Sequence, residues 1–362
     1  MSRICLIRCP SPFLIEDKVF PPLGLLAVGT VWAEEGHEVL VYDGPPEGVP
    51  KGYDRYGLGP TTPEFPVAQE IAKGLDGEVV FGGPHVGWYL DYGDAIIDRS
   101  LVDIKSYKYY IDGKLATTVV TAVGCPYKCA FCSKGPAFKA REVGLVIREI
   151  EMLRRDFGYE ALMFFDDTFV LSRERVLELC ACLRALGIVW RCFVRADLVL
   201  KHGEGLLRIM KDSGCVEVGM GIESGSDKIL EGIDKGETSG QIRRAVEMLR
   251  RAGIRVKGFL IVGLPGESME TLDETRSFLD QAKLDCADFT VFKPYPGSPI
   301  WQHRDDYDIS WGEVECSEMF YKGKPGEYKS LVRTAALTAD EIVAARNGLE
   351  AEYGSVDCYP SS

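Results

Sequence analysis

The chain has no apolar run long enough to span a bilayer, no short-period repeat and no low-complexity stretch. These absences leave a folded globular protein, and a hydrophobic content of 46% is ample for its core. Basic charge is scarce. The net charge of −13 opposes a nucleic-acid partner, because phosphate binding relies on basic surface. No Ser/His/Asp or Cys/His constellation marks nucleophilic hydrolysis. The opening, Met1-Ser-Arg-Ile-Cys-Leu-Ile-Arg-Cys9, is too short and interrupted for a signal peptide and reads as a buried first strand. With twelve cysteines, this predicts a reducing, cytoplasmic setting in which metal binding is favoured over disulfides. At 362 residues, the chain suits one large α/β unit with a modest extra domain.

What is present centres on Gly124-Cys-Pro-Tyr-Lys-Cys-Ala-Phe-Cys132. Cys125, Cys129 and Cys132 place three soft thiolates on one short loop, suited to an iron–sulfur cluster. Three ligands on a four-cornered 4Fe–4S cubane leave one iron open to bind a small molecule. The alternative is a zinc knuckle. Structural zinc takes four ligands, however, and no second Cys-x-x-Cys or His pair completes such a site. Cys180 and Cys182 fall on different faces of a predicted helix, and Cys286, Cys316 and Cys358 are well separated, so a second cluster is not expected.

Strand-like runs alternate with helical patterns along the chain. From residue 117 the strands are predicted at 117–122, 161–165, 189–194, 216–222, 256–262 and 288–292. The helices fall at 144–157, 173–186, 205–213, 239–252 and 270–283. Six strands with five intervening helices describe an α/β fold, a (β/α)6 partial barrel, in which chemistry sits at the carboxyl ends of the strands. Several notable residues fall there. Phe164-Phe-Asp-Asp167 ends the second strand; its paired carboxylates suit a ligand ammonium group, although Asp167 equally suits a helix N-cap. Arg195 leaves the third strand, where a guanidinium can clamp a carboxylate. Gly221-Ile-Glu-Ser-Gly225 ends the fourth, and Ile261-Val-Gly-Leu-Pro-Gly-Glu267 ends the fifth. Phe292-Lys-Pro-Tyr-Pro-Gly-Ser-Pro299 follows the sixth and stops regular structure.

The cysteine spacing, its flanking Gly124, Pro126 and Phe131, and the ordered strand-end elements from Thr117 to Trp301 resemble the radical S-adenosylmethionine (SAM) superfamily. That resemblance implies that Cys125, Cys129 and Cys132 hold a 4Fe–4S cluster whose open iron chelates SAM. It further implies Phe131 near adenine, Glu223 and Ser224 at the ribose, and Arg195 or Lys235 at the SAM carboxylate. Asp166 would meet an ammonium group, and Gly263 would let a flat ring approach the backbone.

The first 116 residues predict a strand at 4–7, a helix at 23–35, a strand at 38–42, a glycine-rich stretch, a helix at 66–75 and a strand at 78–81. Two segments, Pro21-Pro-Leu-Gly-Leu25 and Val80-Phe-Gly-Gly-Pro-His85, resemble the cobalamin-binding domain that precedes many radical SAM cores. Leu23, Gly82, Gly83 and Pro84 would then line the corrin crevice; any Rossmann-like fold is the alternative. Two features depart from that domain. There is no Asp-x-His-x-x-Gly motif, His37 is expected in a turn rather than as a ligand, and the closing portion is cut down to 88–111. The expected division is a short Rossmann-like domain at 1–116, a radical SAM core at 117–301 and a substrate-side region at 302–362, with an aromatic stretch at 319–321 and a helix at 339–353.

The resemblance implies a cobalamin-dependent methyltransferase acting on an unactivated carbon through a 5′-deoxyadenosyl radical. Its alternatives are a cobalamin-independent isomerase or cyclase and a non-catalytic iron–sulfur protein. An electron donor such as flavodoxin or ferredoxin is the implied partner. Lys105, Lys108, Lys114, Lys128, Lys134, Lys139 and Arg141, with Asp112 the one acid among them, are either its docking patch or an ordinary solvated face.

Overall fold

The computed structural model describes residues 1–12, 14, 16–86, 95–133, 137–320 and 326–354. Part of the expected 88–111 segment, Lys134, Tyr321 and Cys358 lie outside the described residues. Strands β1 (Arg3–Ile7), β2 (Glu38–Tyr42), β3 (Arg55–Leu58) and β4 (Glu78–Phe81) form a wholly parallel sheet in the order β2-β1-β3-β4. Helices α1 (Leu23–Glu34) and α2 (Phe65–Lys73) cover opposite faces. The central strand shows why its sequence is continuously apolar. Ile4 and Leu6 pack with Leu26 and Ala27 of α1, whereas Cys5 and Ile7 pack with Ala68 and Ile71 of α2.

The glycine-rich stretch contains a strand that composition conceals. In β3, Gly57 lies against Leu6, whose side chain stands 2.6 Å from where a Cβ would be. Glycine's weak strand preference is thus the condition for two central strands to pair.

The second sheet has the order β13-β12-β11-β10-β9-β6-β5. Its six parallel strands are β6 (Lys114–Val119), β9 (Ala161–Phe164), β10 (Val189–Val194), β11 (Cys215–Glu223), β12 (Arg255–Val262) and β13 (Cys286–Val291). Antiparallel β5 (Tyr110–Ile111) closes one edge. A hairpin of β7 (Ala122–Val123) and β8 (Lys139–Ala140) clasps the base of the cysteine loop. The outer helices are α3 (Val143–Phe157), α4 (Arg173–Leu186), α5 (Ala196–Asp212), α6 (Asp227–Gly232), α7 (Ser239–Arg251) and α8 (Met269–Ala282). Buried positions from these helices merge with the outward faces of the strands into one core that includes Phe164, Trp190, Met220 and Leu260.

Three differences from expectation have local causes. β6 ends three residues early because Thr121 turns away to bond Asp166 instead of continuing the ladder. α5 starts at Ala196, with a non-helical break at Gly203 (φ 73°) that hides its first two turns from a search for uninterrupted periodicity. Helix α9 (Ala339–Tyr353), capped by Thr338 and Glu341, buries Ile342 and Leu349 in the outer core and donates from Arg346 Nε to the Phe289 carbonyl at 2.9 Å. It therefore extends the outer helix layer behind β12 and β13. The parts nearer the mouth are the shorter elements before it: Tyr295 donates to the Met319 carbonyl at 2.8 Å, and residues 316–318 pack on 62–64.

Ten of the described cysteines, Cys125, Cys129 and Cys132 among them, are free. Arg141 is not a surface cation. It is buried with Arg99 on opposite oxygens of Glu149, at 2.7 and 2.8 Å. This triad pins 95–101 to the end of β6, since Arg99 also donates to the Thr118 carbonyl and Arg141 to those of Ala95 and Val120. Lys114 starts β6, at the end remote from the cysteine loop. The basic stretch is therefore not one continuous patch.

Glu149→Ala should lower stability by about 3–5 kcal/mol, because it leaves two buried guanidinium groups without a counter-charge. Chemical denaturation checks this; an unchanged midpoint would contradict the triad's role.

Candidate active site at the carboxyl ends of the barrel strands

The cysteine loop leaves the first barrel strand held at both ends. Asp166 accepts from the Thr121 amide at 2.6 Å and its hydroxyl at 2.5 Å, and Asp167 accepts from the Gly124 amide at 2.9 Å. Within the loop, the Ala130 amide donates to the Ile233 carbonyl and the Ile300 amide to the Ala130 carbonyl. The thiols share one electrostatic environment. Cys132 is pushed up to about 11, first by desolvation and then by Cys129, Asp167, Cys125 and Glu223. Burial also raises Cys129, against the pull of Lys235 and Arg195, and a thiol raised in this way is deprotonated when it takes a metal. Among the described residues, no three His, Cys, Asp or Glu side chains are gathered as a site for a single metal ion.

Behind Cys129 lies a buried ionic network. Arg195 Nη1 is 3.5 Å from Cys129 Sγ, Nη2 donates to the Lys235 carbonyl at 2.6 Å, and Nε donates to Asp197 at 3.2 Å. Its guanidinium lies 3.6 Å from the centre of the Tyr127 ring, whose hydroxyl also donates to Asp197, at 2.7 Å. Lys235 Nζ donates to Glu223 at 2.9 Å and lies 3.6 Å from Glu237. Glu237 in turn accepts from the Asp197 amide at 2.8 Å, while its Oε2 is buried without a hydrogen bond. Burial opposes the charge on Lys235, but Glu223 and Glu237 outweigh it and hold the ammonium above its ordinary range.

Backbone strain aims this network. Glu223 sits at φ 63°, in a register shift between β11 and β12 that begins at Gly221. A Cβ on Gly221 would stand 2.5 Å from Glu223 Oε1 and 3.1 Å from Lys235 Nζ, so glycine keeps the space the ion pair occupies. Lys235 lies between two left-handed residues, Asp234 (φ 52°) and Gly236 (φ 72°), which fold it back from the end of α6.

The remaining expected residues are placed as follows. Phe131 is half-buried and packs on the main core beside the loop. Asp166 bonds the Thr121 amide and hydroxyl through its two oxygens and so anchors the loop; burial pushes it up to about 6. Asp167 does not cap α4, whose N-cap is Ser172. Ser224 is 3.3 Å from the Thr275 hydroxyl and accepts from the Ser226 amide, contacts that shape the turn. Gly263 (φ 93°) donates to Glu267, and the side where a Cβ would stand is filled by Ile342 at 2.9 Å, which closes that approach to a flat ring.

In the first sheet, Leu23 begins α1, and the Gly82 amide donates to the Leu58 carbonyl at 2.8 Å. A Cβ on Gly83 (φ 81°) would stand 3.0 Å from the Gly59 backbone, and Pro84 follows in the turn. These residues surround the carboxyl ends of β3 and β4 beside the β1/β3 switch point, where such sheets bind ligands. His37 accepts from the Ser2 amide at the opposite end of the sheet, and His85 lies over Phe65 with ring centres 4.0 Å apart. Tyr127, Asp197 and Glu237 escaped the sequence reading. The pairings Arg195/Asp197 and Lys235/Glu237, each two residues apart across a turn, were their available signal.

The Radical SAM superfamily profile matches residues 119–279. The chain carries a radical SAM domain. An uncharacterized methyltransferase of Pyrococcus horikoshii is 35% identical over 202 residues, 54% of this chain and 43% of that protein. An anaerobic magnesium-protoporphyrin IX monomethyl ester cyclase of Rubrivivax gelatinosus is 29% identical, over 58% of this chain and 38% of its own. The chain thus spans less than half the length of these two relatives. Among solved structures, the radical SAM methyltransferase TsrM of Kitasatospora setae, with cobalamin and a 4Fe–4S cluster bound, aligns with a TM-score of 0.70. The alignment covers 91% of this chain and 84% of TsrM at 15% identity, so the likeness is one of fold and includes the sheet that precedes the radical SAM domain.

Glu267, buried beneath the Gly263 turn, gives the domain a pH signature. Burial pushes its carboxyl up to about 8, against the pull of the Gly263 and Leu264 amides. Between the unfolded value near 4.5 and about 8 the folded chain binds the extra proton, so stability falls as pH rises through that window. The loss is about 1.4 kcal/mol per unit of pH. Glu267→Gln should flatten this slope in denaturation measured from pH 5 to 8.

Proposed function

We propose that the chain is a cobalamin-dependent radical SAM enzyme that methylates an unactivated carbon. The observation that carries the reading is the three-cysteine loop set against the Arg195–Lys235–Glu223 network, at the mouth of a half-barrel preceded by a parallel sheet. When bound, the cluster, SAM and cobalamin supply a 5′-deoxyadenosyl radical and a methyl donor. The chain's residues bind and orient. Cys125, Cys129 and Cys132 are the cluster ligands. Glu223, turned inward by its strained backbone, accepts from the ribose hydroxyls, with Lys235 fixing its carboxylate by a hydrogen bond of 2.9 Å. Arg195 holds the Cys129 sulfur and steadies the same network. Phe131 covers adenine. The network's burial excludes water from the radical's surroundings.

For the sheet, Leu23, Gly82, Gly83 and Pro84 belong to the loops that would cradle the corrin, with no histidine supplied from the first loop. We accordingly assign 1–116 as a cobalamin-binding-like domain, 117–301 as the core and 302–362 as a C-terminal region that is substrate-side in the stretch before the helix at 339–353, which packs on the outer layer. The cobalamin-free alternative is favoured by Gly83 itself, since its contact with Gly59 already accounts for glycine there. A small acidic electron donor, a flavodoxin or ferredoxin, would meet the exposed Lys128 and Lys139 beside the cysteine loop.

Anaerobically reconstituted protein should retain base-off cobalamin. On reduction it should release both 5′-deoxyadenosine and S-adenosylhomocysteine, and the triple Cys125→Ala/Cys129→Ala/Cys132→Ala variant should lose its iron. Formation of 5′-deoxyadenosine with no retained cobalamin would replace this reading by the cyclase or isomerase alternative. Absence of both products with iron bound would leave a non-catalytic iron–sulfur protein.

Gly221→Ala should displace Glu223 while sparing the fold, because the clash falls on the movable end of a side chain. Calorimetric titration should show SAM binding weakened about tenfold or more, the loss of a charged hydrogen bond. Unchanged affinity would remove Glu223 from the ribose site.

A further inference from the structure

Barrel interiors are ordinarily filled by layers of branched side chains. In this half-barrel the interior faces of β9 to β12 carry aromatic rings and glycines instead. Phe193 of β10 and Phe259 of β12 lean together over Gly219 of β11, with ring centres 6.0 Å apart. A Cβ on Gly219 would stand 2.8 Å from the first ring and 2.7 Å from the second. One step toward the carboxyl ends, β11 presents Gly221, whose missing side chain makes room for the Glu223–Lys235 pair above the ring layer. Phe165, at the end of β9, stands 5.9 Å from Phe193 and 6.0 Å from Phe20, and it is 50% exposed. Phe193, Phe259 and Phe20 are also only partly buried, so their faces line accessible space.

Charges beneath this layer are already matched. Lys257 pairs with Asp288 at 3.3 Å, and Arg191 pairs with Glu217 at 3.0 Å and with the Tyr109 hydroxyl at 2.9 Å. An entering group therefore meets ring faces and edges with no unmatched charge below them. Tilted and edge-on rings about 6 Å apart accept a further ring by offset stacking or edge-to-face contact.

We infer that the half-barrel lumen binds a neutral, planar aromatic ring system of the substrate, seated against the accessible faces of Phe165, Phe193 and Phe259 on the side of the lumen away from the Glu223–Lys235 pair. This inference rests on the function proposed above only in calling the occupant a substrate. A ring held there faces the bound SAM across the lumen, so its own carbons or its short substituents are the positions presented for reaction.

The test uses anaerobically reconstituted full-length protein with SAM present, titrated calorimetrically with indole and with cyclohexylmethanol as a saturated control. Indole should bind saturably and at least tenfold more tightly than the control. Phe165→Ala, at a half-exposed position, and Phe193→Leu, which keeps most of the volume, should each weaken indole about fivefold or more. Equal affinity for the two probes, no saturable indole binding, or unaltered indole binding by both variants would overturn the inference. So would loss of cobalamin from Phe165→Ala with indole binding intact, since Phe165 would then face the corrin. Release of 5′-deoxyadenosine is scored separately on the same preparations: its absence with indole bound counts against the radical SAM reading and not against the lumen.

Discussion

Two cations and two carboxylates held out of water behind Cys129, with the half-buried Asp197 at their edge, are the constraint on which the site depends. Arg195, Lys235, Glu223, Glu237 and Asp197 neutralise one another at hydrogen-bond range or close to it. Their desolvation is tolerable only while each keeps its partners. That requirement explains the irregular backbone nearby: the left-handed Glu223, the fold-back at Lys235 and the bare Gly221. It also ties the cysteine loop to the barrel, because Arg195 reaches the Cys129 sulfur and stacks on Tyr127 while bonding the Lys235 carbonyl. The cysteine loop and the strand-end turns are thereby parts of one polar assembly.

The preceding sheet is joined to the barrel by a second set of buried contacts. Asp43, just beyond β2, accepts from Arg8, Lys18 and Tyr107, and the last of these lies in the segment leading to β5. Neighbouring charges hold Asp43 below its usual range although burial opposes this. Arg99 and Arg141 on Glu149 lock the following segment to the outer core. Phe20 reaches from the first sheet's loop to Phe165 at the barrel mouth. The mouth is thus a junction of the two sheets, with an ionic site on one side and aromatic rings on the other.

The order and type of nearly every barrel element were legible in the chain, because apolar periodicity reports directly which face of a strand or helix is buried. The cysteine spacing likewise stated its chemistry locally. Legibility failed where local and tertiary demands diverge. β3 looked like turn sequence because its glycine serves a neighbouring strand. The first turns of α5 were masked by the break at Gly203. That Asp166 anchors the cysteine loop through Thr121, 45 residues away in sequence, was likewise not legible.

By itself the sequence determined the three-thiolate loop, the alternation that builds a (β/α)6 sheet and the acidic balance of the chain, since each depends on residue type and spacing alone. Only the tertiary structure decided which charged residues share a partner, that Arg141 is interior rather than surface, and that Phe20, Phe165, Phe193 and Phe259 form one wall. Those outcomes depend on pairings between residues tens to hundreds of positions apart. Burial and distance set their energies, and neither is encoded at any single position.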